Sequence, residues 1–410
     1  MRQGLRRRLG IIRIRGSTLT VQIMIVFLTI VLTTAPPSAA SSVLSVCAPP
    51  LLSSAPVHSP TSTPPPLDPI KLFPELAEAP APAWLSPGMR VTYRVLSAST
   101  TEDQDGKTTG GAGLMQYDLI HLDETTAVSS AKFWMQGARG NEHTPSTVMA
   151  SLGIPGAGEY WINPKILVDA EQVANEELKV GRLNTQIEGK FYQVVRFHYQ
   201  TEEAEYVWMF EENSGLLVFY RHAIGKTDNA QRQTSVMSLV DRRYVRLPWS
   251  NSVKPDWVKV GSRLNYQGSY TVIVAGSPPT TLPYNVSLRA KRVADGWALY
   301  QVSARLAGQR QTAPDRASSA SQLADALWLP AQAIRSLSDA VQTVIDRDPT
   351  TGVSIRVSRA RAGGVTLVES GPVHQTTLSY DRQGRLTKLN HSARTDLVTT
   401  RVELTLTDQP

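Results

Sequence analysis

The sequence predicts a mainly β (α+β) protein made of two tandem antiparallel curved-sheet modules, each with one helical insertion. Three observations predict it. Landmarks recur in order in the two halves, apolar and polar residues alternate with period two beyond residue 84, and one helix-like segment interrupts each half.

The landmarks fix the modules. Trp84-Leu-Ser-Pro-Gly88-Met-Arg90-Val91-Thr-Tyr93 is matched by Trp257-Val-Lys-Val-Gly261-Ser-Arg263-Leu264-Asn-Tyr266, with Trp, Gly, Arg and Tyr offset by 173. Tyr160-Trp161-Ile-Asn-Pro164 pairs with Leu327-Trp328-Leu-Pro330 at 167. Phe210-Glu-Glu-Asn-Ser-Gly215-Leu216-Leu217 pairs with Tyr380-Asp-Arg-Gln-Gly384-Arg-Leu386 at 169. Three matches in register indicate an internal duplication, with a first β-rich module at 84–250 and a second at 251–410.

Residues 1–40 read as a signal peptide or signal anchor. Arg2, Arg6, Arg7, Arg8, Arg13 and Arg15 precede an uncharged run from Ser17 to Ala35, and no acidic residue occurs before Cys47. The small residues Ser38-Ala39-Ala40 suit cleavage. An uncharged run of 19 residues is just long enough for a bilayer, but its Thr and Gln content makes it a poor span, so cleavage is the preferred reading. Cys47, the only cysteine, follows Leu44-Ser45-Val46, which resembles a bacterial lipobox with Val46 where Gly or Ala is usual. An acylated cysteine and an incidental one both stay open. An intramolecular disulfide is impossible, so stability rests on packing. The expected location is extracytoplasmic: secreted, or tethered to the cell envelope of a bacterium by the N-terminal anchor or an acylated Cys47.

Residues 41–83 form a Pro/Ser/Ala-rich disordered spacer. From Pro36 to Pro82 there are 13 of the 27 prolines, which remove donors and fix φ, so an extended polyproline-type chain is expected.

In the first module the alternation of Val91 and Tyr93 with Arg90 and Thr92 predicts a strand with one wet face. Further strands are expected at 115–122, 126–135, 191–199, 204–210, 216–222 and 234–245. Asn163-Pro164 suits an N-cap with proline at the first helical position, and Ile166, Leu167, Ala170 and Val173 follow at helical spacing. The second module is expected to have strands at 264–275, 283–293, 297–306, 365–370, 374–380, 385–391 and 397–407. Val353, Ile355 and Val357 alternate with polar neighbours. A helix is expected from Ser319 to Asp346 on a Leu323, Leu327, Ile334, Leu337, Val341 and Ile345 stripe, broken at Pro330. Gly215 and Gly384 lie between strand-like runs, where a hairpin needs positive φ.

No nucleic-acid partner is expected, because the basic balance comes mostly from the leader. The formal net charge is +7, and the leader supplies six of those charges, leaving +1. The halves differ, however: residues 84–256 hold 17 Lys+Arg against 21 Asp+Glu, net −4, and residues 257–410 hold 18 against 11, net +7. Surface drift, attraction between the halves across a shared interface, and an anionic ligand on the second half are the three readings.

No catalytic, cofactor-binding or metal-binding residue is expected. His121, His143, His198, His222, His374 and His391 show no metal-ligand spacing, and Gly-x-Ser-x-Gly is absent. Asp123-Glu124, Glu202-Glu203 and Glu211-Glu212 read as solvated turns. Arg289, Lys291, Arg292, Arg356, Arg359 and Arg361 are the densest basic residues beyond the leader; an anion-binding sheet face and simple decoration of an exposed face are both open. Trp161 and Trp328, with Trp134, Trp208 and Trp297, either line a cavity between sheet and helix or are core.

The turn-linked strands ending in Phe210 to Leu216 and Tyr380 to Leu386, each beside a helix, resemble the half-barrel fold of bacterial periplasmic lipoprotein carriers and lipid-binding lipoproteins. The resemblance implies a concave sheet closed by a helix, able to shelter an apolar or lipid-like ligand. A non-catalytic binding protein is therefore expected, with an envelope scaffold or protein-interaction module with packed cores as the alternative.

Overall fold

A computed structural model describes residues 80–100, 108–136, 147–153, 156–225, 233–361, 363–395 and 397–407, together with Leu72. The leader, Cys47 and most of the spacer lie outside the described residues.

The first module is one nine-stranded antiparallel sheet. It comprises β1 (Met89–Thr100), β2 (Thr108–Leu122), β3 (Ala127–Gln136), β4 (Thr147–Gly153), β5 (Leu178–Ile187), β6 (Lys190–Gln200), β7 (Ala204–Glu211), β8 (Leu217–Ile224) and β9 (Gln233–Tyr244). Its order is β4-β3-β2-β1-β9-β8-β7-β6-β5. Helix α1 (Pro164–Val168) and a 3-10 turn (Ala170–Val173) stand between β4 and β5, and the Asn163 side chain caps α1 by accepting from Lys165 N.

The second module repeats the plan. Its strands are β10 (Arg263–Val274), β11 (Thr280–Ala294), β12 (Trp297–Leu306), β13 (Gln309–Gln311), β14 (Arg316–Ser319), β15 (Val344–Arg347), β16 (Ser354–Arg361), β17 (Gly364–Ser370), β18 (His374–Tyr380), β19 (Leu386–Arg394) and β20 (Val398–Leu406), with helix α2 (Ala331–Ser338) before β15. The order is β13-β12-β11-β10-β20-β19-β18-β17-β16-β15, and β14 also pairs with β12. In each sheet the first strand lies mid-sheet between the second strand and the last, so both halves follow the same meander. Residues of both arms share one core: Tyr117, Ala131, Ile187, Val194 and Val218 belong to a single buried cluster, which requires the sheet to curl around it.

The three landmarks meet in space, in the same way twice. Trp84 Nε1 donates to Ser214 O (2.6 Å), as Trp257 Nε1 does to Gln383 O (3.0 Å). Tyr93 Oη donates to Leu217 O and Tyr266 Oη to Leu386 O, both at 2.9 Å. Ile162 N bonds Gly215 O at 2.8 Å, and Leu329 N bonds Gly384 O at 2.9 Å. The hairpin glycines are crowded as well as left-handed. Gly215 (φ 70°) would place a Cβ 1.8 Å from Ile162 O, and Gly384 (φ 74°) one 1.9 Å from Leu329 O. The retained residues are thus a lock that fastens the hairpin to the mid-module loop and the first strand.

Two expectations are corrected. The second helix covers only Ala331–Ser338: residues 316–319 pair with β12, Asp325 (φ 56°) and Gln342 (φ 66°) break the helical path, and residues 344–347 form a strand. Of the apolar stripe, Ile334 and Leu337 are buried on the helix and Leu323 and Leu327 reach the core from an irregular run, whereas Val341 is exposed. The second correction concerns the face of β1 opposite its core residues. Arg90 and Thr92 are 7% and 1% exposed, because the second module covers that face.

Candidate functional site: the junction between the modules

Period-two geometry puts Val91, Tyr93, Tyr117 and Ala131 into the first core and leaves Arg90, Thr92, Gln116, Asp118 and Lys132 on the opposite face. Against that face the second module sets β14, the loop at Asp325, β15 and the end of β17. The seam has an apolar centre of Ile120, Val128, Trp297, Leu299 and Ala317, and Ser319 Oγ donates to Ile120 O at 2.5 Å.

On one side of the seam Arg90 is the hub. Its Nε and Nη2 bond the two oxygens of Asp118 at 2.5 and 3.0 Å, while Nη1 reaches Asp346 at 2.9 Å and Asp348 at 3.4 Å. Arg243 adds a fork to Asp346, at 2.9 and 3.2 Å, and lies 3.3 Å from Asp348. Gln116 Nε2 donates to Asp348 at 2.7 Å and to Thr92 Oγ1 at 3.1 Å. Burial alone would raise the Asp348 carboxyl, but Arg90, the Thr351 N–H, Arg243 and Gln116 hold it below its ordinary value. Burial opposes the Arg90 charge too, and its carboxylate partners outweigh it.

The other polar cluster centres on Lys132. Its ammonium lies 2.7 Å from Glu369 and 2.8 Å from Asp325, with side-chain exposures of 5%, 4% and 7%. His374 Nε2 is 3.0 Å from the other Glu369 oxygen, Thr376 Oγ1 is 2.8 Å from His391 Nδ1, and the two imidazoles stack at 6.1 Å. Burial would raise the Glu369 carboxyl, yet Lys132 and His374 keep it well below the usual range. Burial, followed by the neighbouring His374, lowers His391 to about 4.

Such an arrangement fixes geometry. Arg90, Lys132, Asp325, Asp346, Asp348 and Glu369 have lost almost all their water, and removing one partner would leave the others buried and uncompensated, so the network specifies one docking of the modules more than it adds net stability. All three cations come from the acidic half, and four of the five carboxylates from the basic half. The contact polarity is the reverse of the net charges.

The sequence-predicted residues fall elsewhere. Trp161 and Trp328 are fully packed in the two cores. A cavity of about 20 Å³, room for one water, lies in the second module against Tyr266, Leu288, Arg316, Asp325, Leu327 and Leu404. Arg316 is buried there, donates to Asp325 O at 3.1 Å, and has its pKa pulled down foremost by burial. Arg289 and Lys291 on β11 stand six strands from Arg356 on β16, so they form no common patch. The side chains of Arg359 and Arg361, with His143 and Cys47, lie outside what is described. Lys291 pairs with Asp315 at 3.1 Å, and Arg292 stacks over Trp297 at 5.4 Å.

Among the described residues no group of three or more His, Cys, Asp or Glu is placed to hold a metal, and no described helix is long and apolar enough to cross a membrane. The junction residues escaped sequence reasoning, although Lys132 in β3 and Glu369 in β17 carry a signal: a single charge inside an otherwise uncharged strand.

No known family pattern matches the chain, and no curated protein sequence does. Among solved structures, the chain is similar to a protein provisionally assigned as AttH from Nitrosomonas europaea, at 9% identity over 78% of this chain and 92% of that one, with a TM-score of 0.16. A protein of unknown function of the DUF3598 family from Nostoc punctiforme is 11% identical over 78% and 96%, with a TM-score of 0.13. The two-lobed Ap-TbpB is 8% identical over 80% and 79%, with a TM-score of 0.09.

Proposed function

We propose that the chain is a non-catalytic envelope scaffold of a bacterium, in which two packed modules are joined as one rigid interaction unit and held outside the cytoplasm by the N-terminal segment. The observation that supports this reading is the burial of large side chains in both cores. Trp161, Trp328, Tyr93, Tyr284 and Tyr300 are fully buried between the sheet and the segments packed on it, and the cavity beside Arg316 has room for a single water. Native mass spectrometry of the protein purified from its own host tests it. A mass free of bound lipid, with no uptake of a fluorescent fatty acid, is expected; a lipid adduct would overturn it.

A second reading, carriage of an apolar ligand with an anionic head, is favoured by one feature only. The buried Arg316 guanidinium faces a cavity walled mostly by Val286 and six leucines, with Tyr266 and Asp325 as its other polar lining. Loss of fatty-acid uptake in Arg316→Gln would support it.

A further inference from the structure

The repeat places Arg263 where the first module has Arg90, and the partners across the ladder differ. Arg90 faces Asp118. Arg263 faces Arg289, and on the next pair of strands Arg305 faces Arg310. All four point away from the core, all are exposed, and none makes an ion pair with a described residue. Like charges directly opposite on a sheet are destabilising, at about 5 Å between facing Cα atoms, so folding gives no reason for either pair. The four strands β10 to β13 hold six Lys or Arg and no Asp or Glu.

The junction deepens this asymmetry. Setting aside Arg90, Lys132, Arg243 and Asp118 leaves the first half with 14 basic against 20 acidic residues, net −6. Setting aside Asp325, Asp346, Asp348 and Glu369 leaves the second half with 18 against 7, net +11. The same sheet face therefore has two fates. In the first module it is docked on a carboxylate-bearing surface, through Asp346, Asp348, Asp325 and Glu369. In the second, the first module covers the counterpart only at the Trp297 and Leu299 end of β12, and beyond that end the face carries two guanidinium pairs about 13 Å apart, the length of four strand residues, with all four arginines exposed.

From this we infer that the outer face of β10–β13, with Arg263, Arg289, Arg305 and Arg310, is a docking surface for an acidic protein. The recognised chemistry is a carboxylate array, met by guanidinium forks as Asp118 and Asp346 meet Arg90 and Arg243 within the chain. The inference names a partner for the scaffold reading and rests on it; a lipid adduct in the native mass would sink that reading, whereas the outcomes below bear on this face alone.

The test uses the protein purified from its host and fluorescein-labelled poly-L-glutamate as probe, read by anisotropy at low and physiological salt. The triple variant Arg263→Glu/Arg289→Glu/Arg305→Glu is expected to bind at least about tenfold more weakly, since rim and surface charges act through screened complementarity. A control with the same net charge, Arg335→Glu/Arg356→Glu/Arg382→Glu, alters exposed arginines away from this face and is expected to bind as the parent does. A single change, Arg289→Asp, recreates the facing pair of the first module; its melting temperature should rise while its affinity falls. Equal losses in triple variant and control, no binding by the parent, or a face that binds phosphatidylglycerol vesicles but not poly-L-glutamate would each overturn the inference.

Discussion

Lys132 of the first module places its ammonium 2.7 Å from the carboxylate of Glu369 in the second, with both side chains almost wholly removed from water. A contact of this kind is costly to break from one side. Lys132→Met should destabilise the protein by about 3–5 kcal/mol in chemical denaturation, because Glu369 and Asp325 are left buried without a counter-charge. Adding Glu369→Gln and Asp325→Asn should return much of that loss. A triple variant no more stable than Lys132→Met would show that the ammonium acts by packing alone.

Acid should weaken the fold in two stages. Burial lowers both His222 and His391 from 6.5 to about 4. Between those values the unfolded chain binds protons that the folded chain refuses, so stability falls as pH drops from about 6.5 to 4, by up to roughly 3 kcal/mol for each histidine. Glu369 and Asp348 are depressed, so their contribution is fully present above the ordinary carboxylate range and is lost as pH falls below that range through their lower folded-state values. Among the described residues His222 has no hydrogen-bond partner on either ring nitrogen. His222→Leu should therefore flatten the first stage of the pH–stability curve, and an unchanged curve would contradict its assignment as a buried neutral ring.

Equivalent positions should respond equally. Tyr93→Phe and Tyr266→Phe each remove one buried hydrogen bond to a hairpin carbonyl, and each should cost about 1–2 kcal/mol. Denaturant midpoints that shift for one variant and not the other would separate the two locks.

Gly215→Ala and Gly384→Ala should be far more damaging. Each forces a left-handed backbone on alanine and drives its Cβ into a carbonyl oxygen, so a loss above about 3 kcal/mol, or no soluble protein, is expected. Gly181→Ala meets nothing within 4 Å and serves as the tolerant comparison. Near-parental stability at Gly215 would mean that the hairpin does not close on Ile162.

Much of the fold was legible in the residues. The period-two runs at 297–306 and 374–380 coincide with β12 and β18, and Asn163-Pro164 starts a helix as its capping chemistry requires. Less legible were edge strands such as β5, where Leu178 and Ile187 are the only fully buried residues and alternation is faint. The stretch from Ser319 to Asp346 misled for a different reason. Helical spacing of apolar residues is also satisfied by a buried irregular run, and a positive φ at Asp325 is invisible in composition. The junction was hidden because a polar sheet face looks alike whether water or another module covers it. Only pairing in space distinguishes Arg90, which is buried, from Arg263, which is not.

Differential scanning calorimetry at pH 7 tests the rigid joining of the modules most directly. The parent protein should unfold in one cooperative transition, and Arg90→Gln/Lys132→Gln should split it into two, one for each module. Two independent transitions in the parent, unchanged by those substitutions, would contradict the account.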